Sequence, residues 1–508
     1  MKRPDPEDFS ERDFSKKDFS KKPHGSGINK KQMKKNIRRV FWLYFALFAA
    51  LTIYLIKFLA VDSAGIITGT YNPRLRKTDD TMIRGSVLDA NGKTLAITDE
   101  GKRLYPLGES AAHLVGYADY AAGFYGVEAR YNFQMQSAHN ELLQRLNNVL
   151  NDTPVIADSL VLTLDSDLQR YVYEQLWGKS AAVVLDVSTG KILAMASRPS
   201  FDPQNMDFDM LKNDERAPLL NRATQGLYPP GSIFKIITAA AAMEYDMGNM
   251  IYTCEGQTVL GKRIRCYNLT AHGEEDLALA FAKSCNTFFA TLGVKLGDAK
   301  LKTVAERAYF NSAIPYALEY SVSRFSLTDE ILTNDMISND APLDGIPSFE
   351  TSISTNGNEP MLADTAIGQG ETLIVPLLAA MITACVANDG IMMAPYIVDH
   401  IQTYNGAVIQ KNMPQMMKMV FTPEQSAMLT EMMTQVTEIG TGNNAYVEET
   451  RIAAKTGTAE NSSGEDHGWY TAFFPADAPK YAIAIIVENS GGSASVLPIA
   501  KNIVKYLT

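Results

Sequence analysis

Cysteine, histidine and tryptophan are all scarce, at four, six and three in 508 residues. Four cysteines are too few for a disulfide scaffold. Cys254, Cys266, Cys285 and Cys385 form no CxxC, and the scattered histidines show no zinc spacing, so no metal is expected. Cys254 and Cys266 stand as a possible disulfide pair outside a membrane, which their spacing alone leaves open. Basic charge is concentrated at one end. Residues 1–39 hold 13 Lys/Arg against 6 Asp/Glu, so the rest carries −17 of a net −10. An acidic body argues against nucleic acid as a partner.

Long apolar runs are also few, and the first is the longest. Between Val40 and Val61 the only charged residue is Lys57. That run is long enough to cross a bilayer. Lys57 lies near its far end, where its ammonium can snorkel to the interface. Trp42 and Tyr44 suit one interface and Tyr54 the other. Lys30, Lys31, Lys34, Lys35, Arg38 and Arg39 precede the run and should keep residues 1–39 cytoplasmic. The apolar core is too long for a cleaved signal peptide, and no crisp small-x-small site follows. A single-pass membrane protein with an exported body is expected. The tail repeats DFS at 8–10, 13–15 and 18–20 and reads as disordered.

After the span, residues 62–155 read as a small stalk-like module, and 156–508 as the main domain. SVLDANGKTLAI predicts a hairpin turning at Asn91-Gly92. HNELLQRLNNVL has a helical pattern. DSLVLTLDSDLQRYVYEQL predicts a strand, then a helix capped by Asp165 or Ser166. AAVVLDVSTGKILAMAS is a second hairpin. SIFKIITAAAAMEY and TLIVPLLAAMITACVANDG predict buried helices, and 423–438 another. Residues 316–365, rich in Ser, Asp, Asn and Pro, predict an irregular excursion. RIAAKTGTAE, GWYTAFFPA and KYAIAIIVEN read as successive strands. Strands at both ends with helices between predict an α+β domain, an antiparallel sheet packed against helices.

Three short motifs carry candidate chemistry. In YPPGSIFK, Gly231 permits a tight turn before Ser232, and Lys235 follows on the same face. A serine hydroxyl needs a base to become a nucleophile, and a desolvated lysine can serve. A helix start also directs backbone N–H groups at developing negative charge. In SCN, Ser284 and Asn286 cannot share a helix face, but a turn can aim both into one cleft. In KTGTAE, Lys455, Thr456 and Thr458 can hold an anionic end group, and Gly457 implies a close approach to the strand. Each motif alone has a plainer reading: a helix-capping serine, a turn asparagine, an exposed strand edge. SxxK, SxN and KTG in this order, 52 and 171 residues apart, are far more specific.

In this combination the chain resembles the class B penicillin-binding proteins, the monofunctional peptidoglycan D,D-transpeptidases. RGSVLDANGKTLA, HLVGY, LTLDSDLQ, RATQGLYPPGSIFK, SCNTFF, AIGQG, KTGTAE and HGWYTAFFP all fit. The resemblance implies a serine β-lactamase-like fold. It implies Ser232 as the acylated nucleophile, Lys235 as general base and Ser284 as proton relay. Asn286, Lys455, Thr456, Gly457 and Thr458 would bind the donor peptide, with Gln369 and Gly370 lining the cleft. The substrate would be a stem peptide ending in D-Ala-D-Ala, mimicked by β-lactams, with no cofactor. A membrane glycan polymerase of the elongation or division machinery would be the partner. A class A enzyme would need a glycosyltransferase domain that 62–155 cannot hold. A D,D-carboxypeptidase or a silent β-lactam sensor or scaffold are the alternatives.

Overall fold

The run KYAIAIIVEN explains the architecture. In the strand Tyr481–Val487, Ala482, Ala484 and Ile486 enter one hydrophobic core, while Ile483, Ile485 and Val487 enter another. A strand apolar on both faces must lie inside a sheet covered on both sides. The computed structural model, which describes residues 30–58, 82–119, 123–136, 150–151, 154–327, 358–461 and 464–508, places it there. A five-stranded antiparallel sheet runs in the order Ile192–Arg198, Ser180–Asp186, Tyr481–Val487, His467–Phe474, Ala453–Ala459. The α+β expectation therefore holds, and the KTGTAE strand lies at the sheet edge.

Helices cover both faces. The Pro376–Ala387 helix is buried from Pro376 to Val386 and packs on the central strands. It is apolar all round because it has no solvent side. The Pro423–Glu438 helix begins with a capping box, in which the Thr422 hydroxyl accepts from the Gln425 N–H and the Gln425 carboxamide accepts from the Thr422 N–H. Ser166–Gln175 and Leu497–Leu507 close the opposite face. Asp165, not Ser166, caps the first of these, accepting from the Asp167 and Leu168 N–H groups.

A second, six-stranded sheet joins Val408–Lys411, Val398–Gln402, Ser159–Leu162, Val87–Leu88, Thr94–Asp99 and Lys102–Leu104 in that order. Its strands come from both sides of position 156. The hairpin through Asn91-Gly92 forms as expected, with Gly92 at φ 81°. The helical-looking stretch 139–150 and the tail 1–29 lie largely or wholly outside the described residues, as do 328–357 of the expected excursion. Within the excursion, however, Glu359–Ala366 is a helix. Pro360 sits in its first turn, and Leu362, Ala363 and Ala366 are buried, so packing overrides the polar composition.

The N-terminal unit is the helix Lys30–Lys57. It is long and apolar enough to cross a membrane, and Phe41, Trp42, Leu43, Phe45 and Phe48 are exposed along it. Residues 59–61 of the expected span lie outside the described residues.

Candidate active site

Gly231 has φ 53°, a left-handed conformation that disfavours a side chain. A Cβ there would also meet the Thr458 carbonyl oxygen at 2.5 Å. That glycine lets the turn Gly231–Phe234 press against the KTGTAE strand. The turn is a 3-10 helix, continued by the α-helix Lys235–Glu244. Three residues per turn bring positions i and i+3 nearly into register, so Ser232 and Lys235 share a side. Trp469 Nε1 donates to the Pro229 carbonyl at 3.0 Å, and the Gly231 N–H donates to Gly368 at 2.8 Å. Behind it, Glu488 accepts from Arg222 Nε at 2.7 Å and from the Tyr228 hydroxyl at 2.8 Å.

The SCN motif forms the turn between helices Leu277–Ala282 and Asn286–Leu296. Ser284 lies at φ 56°, uncommon for a residue with a side chain. Lys235 Nζ donates to the Ser284 carbonyl at 2.8 Å, Ser284 Oγ at 3.2 Å and Asn286 Oδ1 at 2.8 Å. Lys455 Nζ donates to the same Ser284 Oγ at 2.9 Å. Both lysines are fully buried. Burial pulls Lys235 down to about 8, against the smaller opposing pull of Cys285, Cys266 and Glu275. Burial and the charge of Lys235 hold Lys455 well below the usual lysine range. Ser232 is half-buried, and its hydroxyl makes no hydrogen bond among the described residues.

Asn286 Nδ2 donates to the Arg265 carbonyl at 2.9 Å, leaving its oxygen on Lys235. Thr456 exchanges a hydroxyl hydrogen bond with Thr441, and Thr458 Oγ1 accepts from the Ser493 N–H at 3.1 Å. Gln369 bridges the strand, donating to the Thr458 carbonyl at 3.5 Å and accepting from the Glu460 N–H at 3.2 Å. Gly370 is exposed on the turn beside it. At Gly457 a Cβ would meet Trp469, Ile233 and the Pro230 carbonyl between 2.9 and 3.2 Å. The approach inferred from that glycine is thus, in part, the turn that carries Ser232. Arg222, Arg265, Thr441, Glu488 and Ser493 had no local signal, because each acts through a partner remote in sequence.

One half-buried serine with a free hydroxyl among the described residues, two buried lysines sharing a second serine, and a sheet-edge strand define a serine acyl-enzyme class. Residues 180–505 match the penicillin binding protein transpeptidase domain, and the chain belongs to that family. It is 29% identical to the peptidoglycan D,D-transpeptidase PbpA of Mycolicibacterium smegmatis, over 86% of this chain and 91% of the relative. It is 30% identical to the MrdA D,D-transpeptidase of Haemophilus influenzae, over 86% of this chain and 74% of the relative. A ceftriaxone acyl-enzyme structure of penicillin-binding protein A from M. tuberculosis superposes with TM-score 0.73. It has 27% identity and covers 84% of this chain and 98% of that one. The protein is a class B penicillin-binding protein, a serine-type peptidoglycan D,D-transpeptidase.

Proposed function

We propose that Ser232 is the nucleophile of this transpeptidase and Lys235 its general base. The observation that carries the reading is the convergence of Lys235 and Lys455 on Ser284 Oγ, at 3.2 and 2.9 Å. Two ammonium charges buried side by side repel and are poorly solvated, which favours a neutral amine. A neutral Lys235 takes the Ser232 proton as Oγ attacks the carbonyl between the last two D-alanines of a stem peptide. The backbone N–H groups of Ser232 and Thr458 face the developing oxyanion. Ser284 relays a proton to the departing D-alanine nitrogen. An amine from a neighbouring stem then attacks the acyl-enzyme, forming the cross-link and freeing Ser232.

Asn286 holds the donor amide, and Lys455, Thr456 and Thr458 hold its terminal carboxylate. Gly457 keeps the strand close to the nucleophile, while Gln369 and Gly370 line the cleft. An edge strand suits an extended donor, since its outer N–H and C=O groups can pair with a peptide backbone. β-Lactams enter as mimics of the donor and leave an acylated Ser232. Residues 156–508 act as the catalytic domain and 62–155 as its stalk module. The apolar helix holds the domain outside the membrane with the basic tail in the cytoplasm, beside a membrane glycan polymerase. Lipid-linked substrate with a partner polymerase tests the reading: cross-linked dimers should accumulate with D-alanine. D-alanine without dimers would instead indicate a carboxypeptidase.

A further inference from the structure

Cys254, Cys266, His272 and Cys285 have no part in acyl transfer, yet their ligand atoms all lie within 4.8 Å of one another. Sequence spacing showed no zinc pattern because these residues belong to separate elements. Cys254 ends the strand Tyr252–Cys254, and Cys266 follows Lys262–Arg265. His272 precedes Gly273–Glu275, and Cys285 caps the helix Asn286–Leu296. All three thiols are buried and free, so the Cys254–Cys266 disulfide left open by spacing is not formed.

The geometry fits an ion. Cys254–Cys266 and Cys266–Cys285 sulfur separations are both 3.7 Å, and Cys254 Sγ lies 3.4 Å from His272 Nδ1. Zinc–sulfur bonds of about 2.3 Å in a tetrahedron give sulfur–sulfur edges of about 3.8 Å and sulfur–nitrogen edges of about 3.5 Å. Donors already point at sulfur: Gly256 N at 3.4 Å and Thr287 Oγ1 at 3.2 Å on Cys254, and Phe288 N at 3.4 Å on Cys285. Such outer contacts orient ligands and stabilise thiolates. Alongside, the Glu275 carboxylate is 1% exposed and 3.8 Å from His272 Nδ1. Neither of its oxygens accepts a hydrogen bond among the described residues. A buried carboxylate left this way is costly unless a cation stands nearby.

We propose that Cys254, Cys266, His272 and Cys285 bind one zinc ion, and that the ion holds the SCN turn in its working shape. Three sulfurs and an imidazole favour zinc over the hard cations, and four protein ligands make a closed, structural site. Binding releases the three thiol protons and leaves the site with one net negative charge. Cys285 lies between Ser284 and Asn286. Asn286 in turn donates to Arg265, the neighbour of Cys266. The left-handed Ser284 is thus followed directly by an anchored ligand, Cys285, and then by Asn286, itself tied to the Cys266 segment, which helps hold a strained backbone.

The full-length chain, purified in detergent without chelator and dialysed against zinc and then metal-free buffer, should retain one zinc per chain by mass spectrometry. C254S and H272A should lose it. Cobalt in wild-type protein should give thiolate charge-transfer bands and the intense absorption of tetrahedral coordination. Stripping the metal should slow acylation by fluorescent penicillin about tenfold or more, and zinc should restore it. A chain without retained zinc, a Cys254–Cys266 disulfide in the peptide map, or a weak octahedral cobalt spectrum each overturns the site. Retained zinc with an unchanged acylation rate after stripping overturns its tie to the SCN turn.

Discussion

Lys235 makes three hydrogen bonds, to the carbonyl and hydroxyl of Ser284 and to Asn286, and none of them is to Ser232. The base role proposed for it therefore depends on shedding charge rather than on a preformed bond to Ser232. With Lys235 held near 8 by burial, the neutral form grows as pH rises through that value. The acylation rate with penicillin should accordingly climb between about pH 7 and 9, one unit either side of that midpoint. A flat profile over that interval would remove Lys235 from the role. Gly231 offers a second test at this scale. Alanine there must adopt φ 53° and push its Cβ towards the Thr458 carbonyl. G231A should lower stability by about 1–3 kcal/mol and slow acylation further, measured by urea midpoint and penicillin labelling.

Among elements, the segment leading into the Ser232 turn is fastened from behind. Arg222 Nε donates to Glu488, and its terminal nitrogens donate to the Ala217 and Arg216 carbonyls. Removing one partner of a buried ion pair leaves an uncompensated charge. R222M should therefore lose about 3–5 kcal/mol, read from the urea midpoint by tryptophan fluorescence. R222M/E488Q should recover much of it, since no charge is then stranded. The strands and hairpins here were legible in sequence because short apolar runs and turn residues are local signals. Tyr481–Val487 and the turn at Gly92 show this. The pairing of Arg222 with Glu488 was not legible, because 266 residues separate them. Nor was the helix Glu359–Ala366, whose polar composition is overridden by burial of Leu362 and Ala366. SxxK, SxN and KTG were found as motifs, but only the fold reveals that Lys235 and Lys455 meet on Ser284. The cysteine–histidine cluster stayed hidden for the same reason.

For the whole molecule, the apolar helix and the catalytic part form separate units, dividing after Ile67. A chain starting at Thr68 should remain in the soluble fraction and label with fluorescent penicillin at the wild-type rate. The full chain should stay with the membrane fraction. Loss of labelling in the shortened chain would mean that the helix contributes to the site itself. If acyl transfer passes through Ser232, a peptide map of the penicillin-treated protein will locate it there. One penicilloyl adduct is expected, on the peptide containing Ser232, and none in S232A. An adduct on another residue, or equal labelling of S232A, would contradict it.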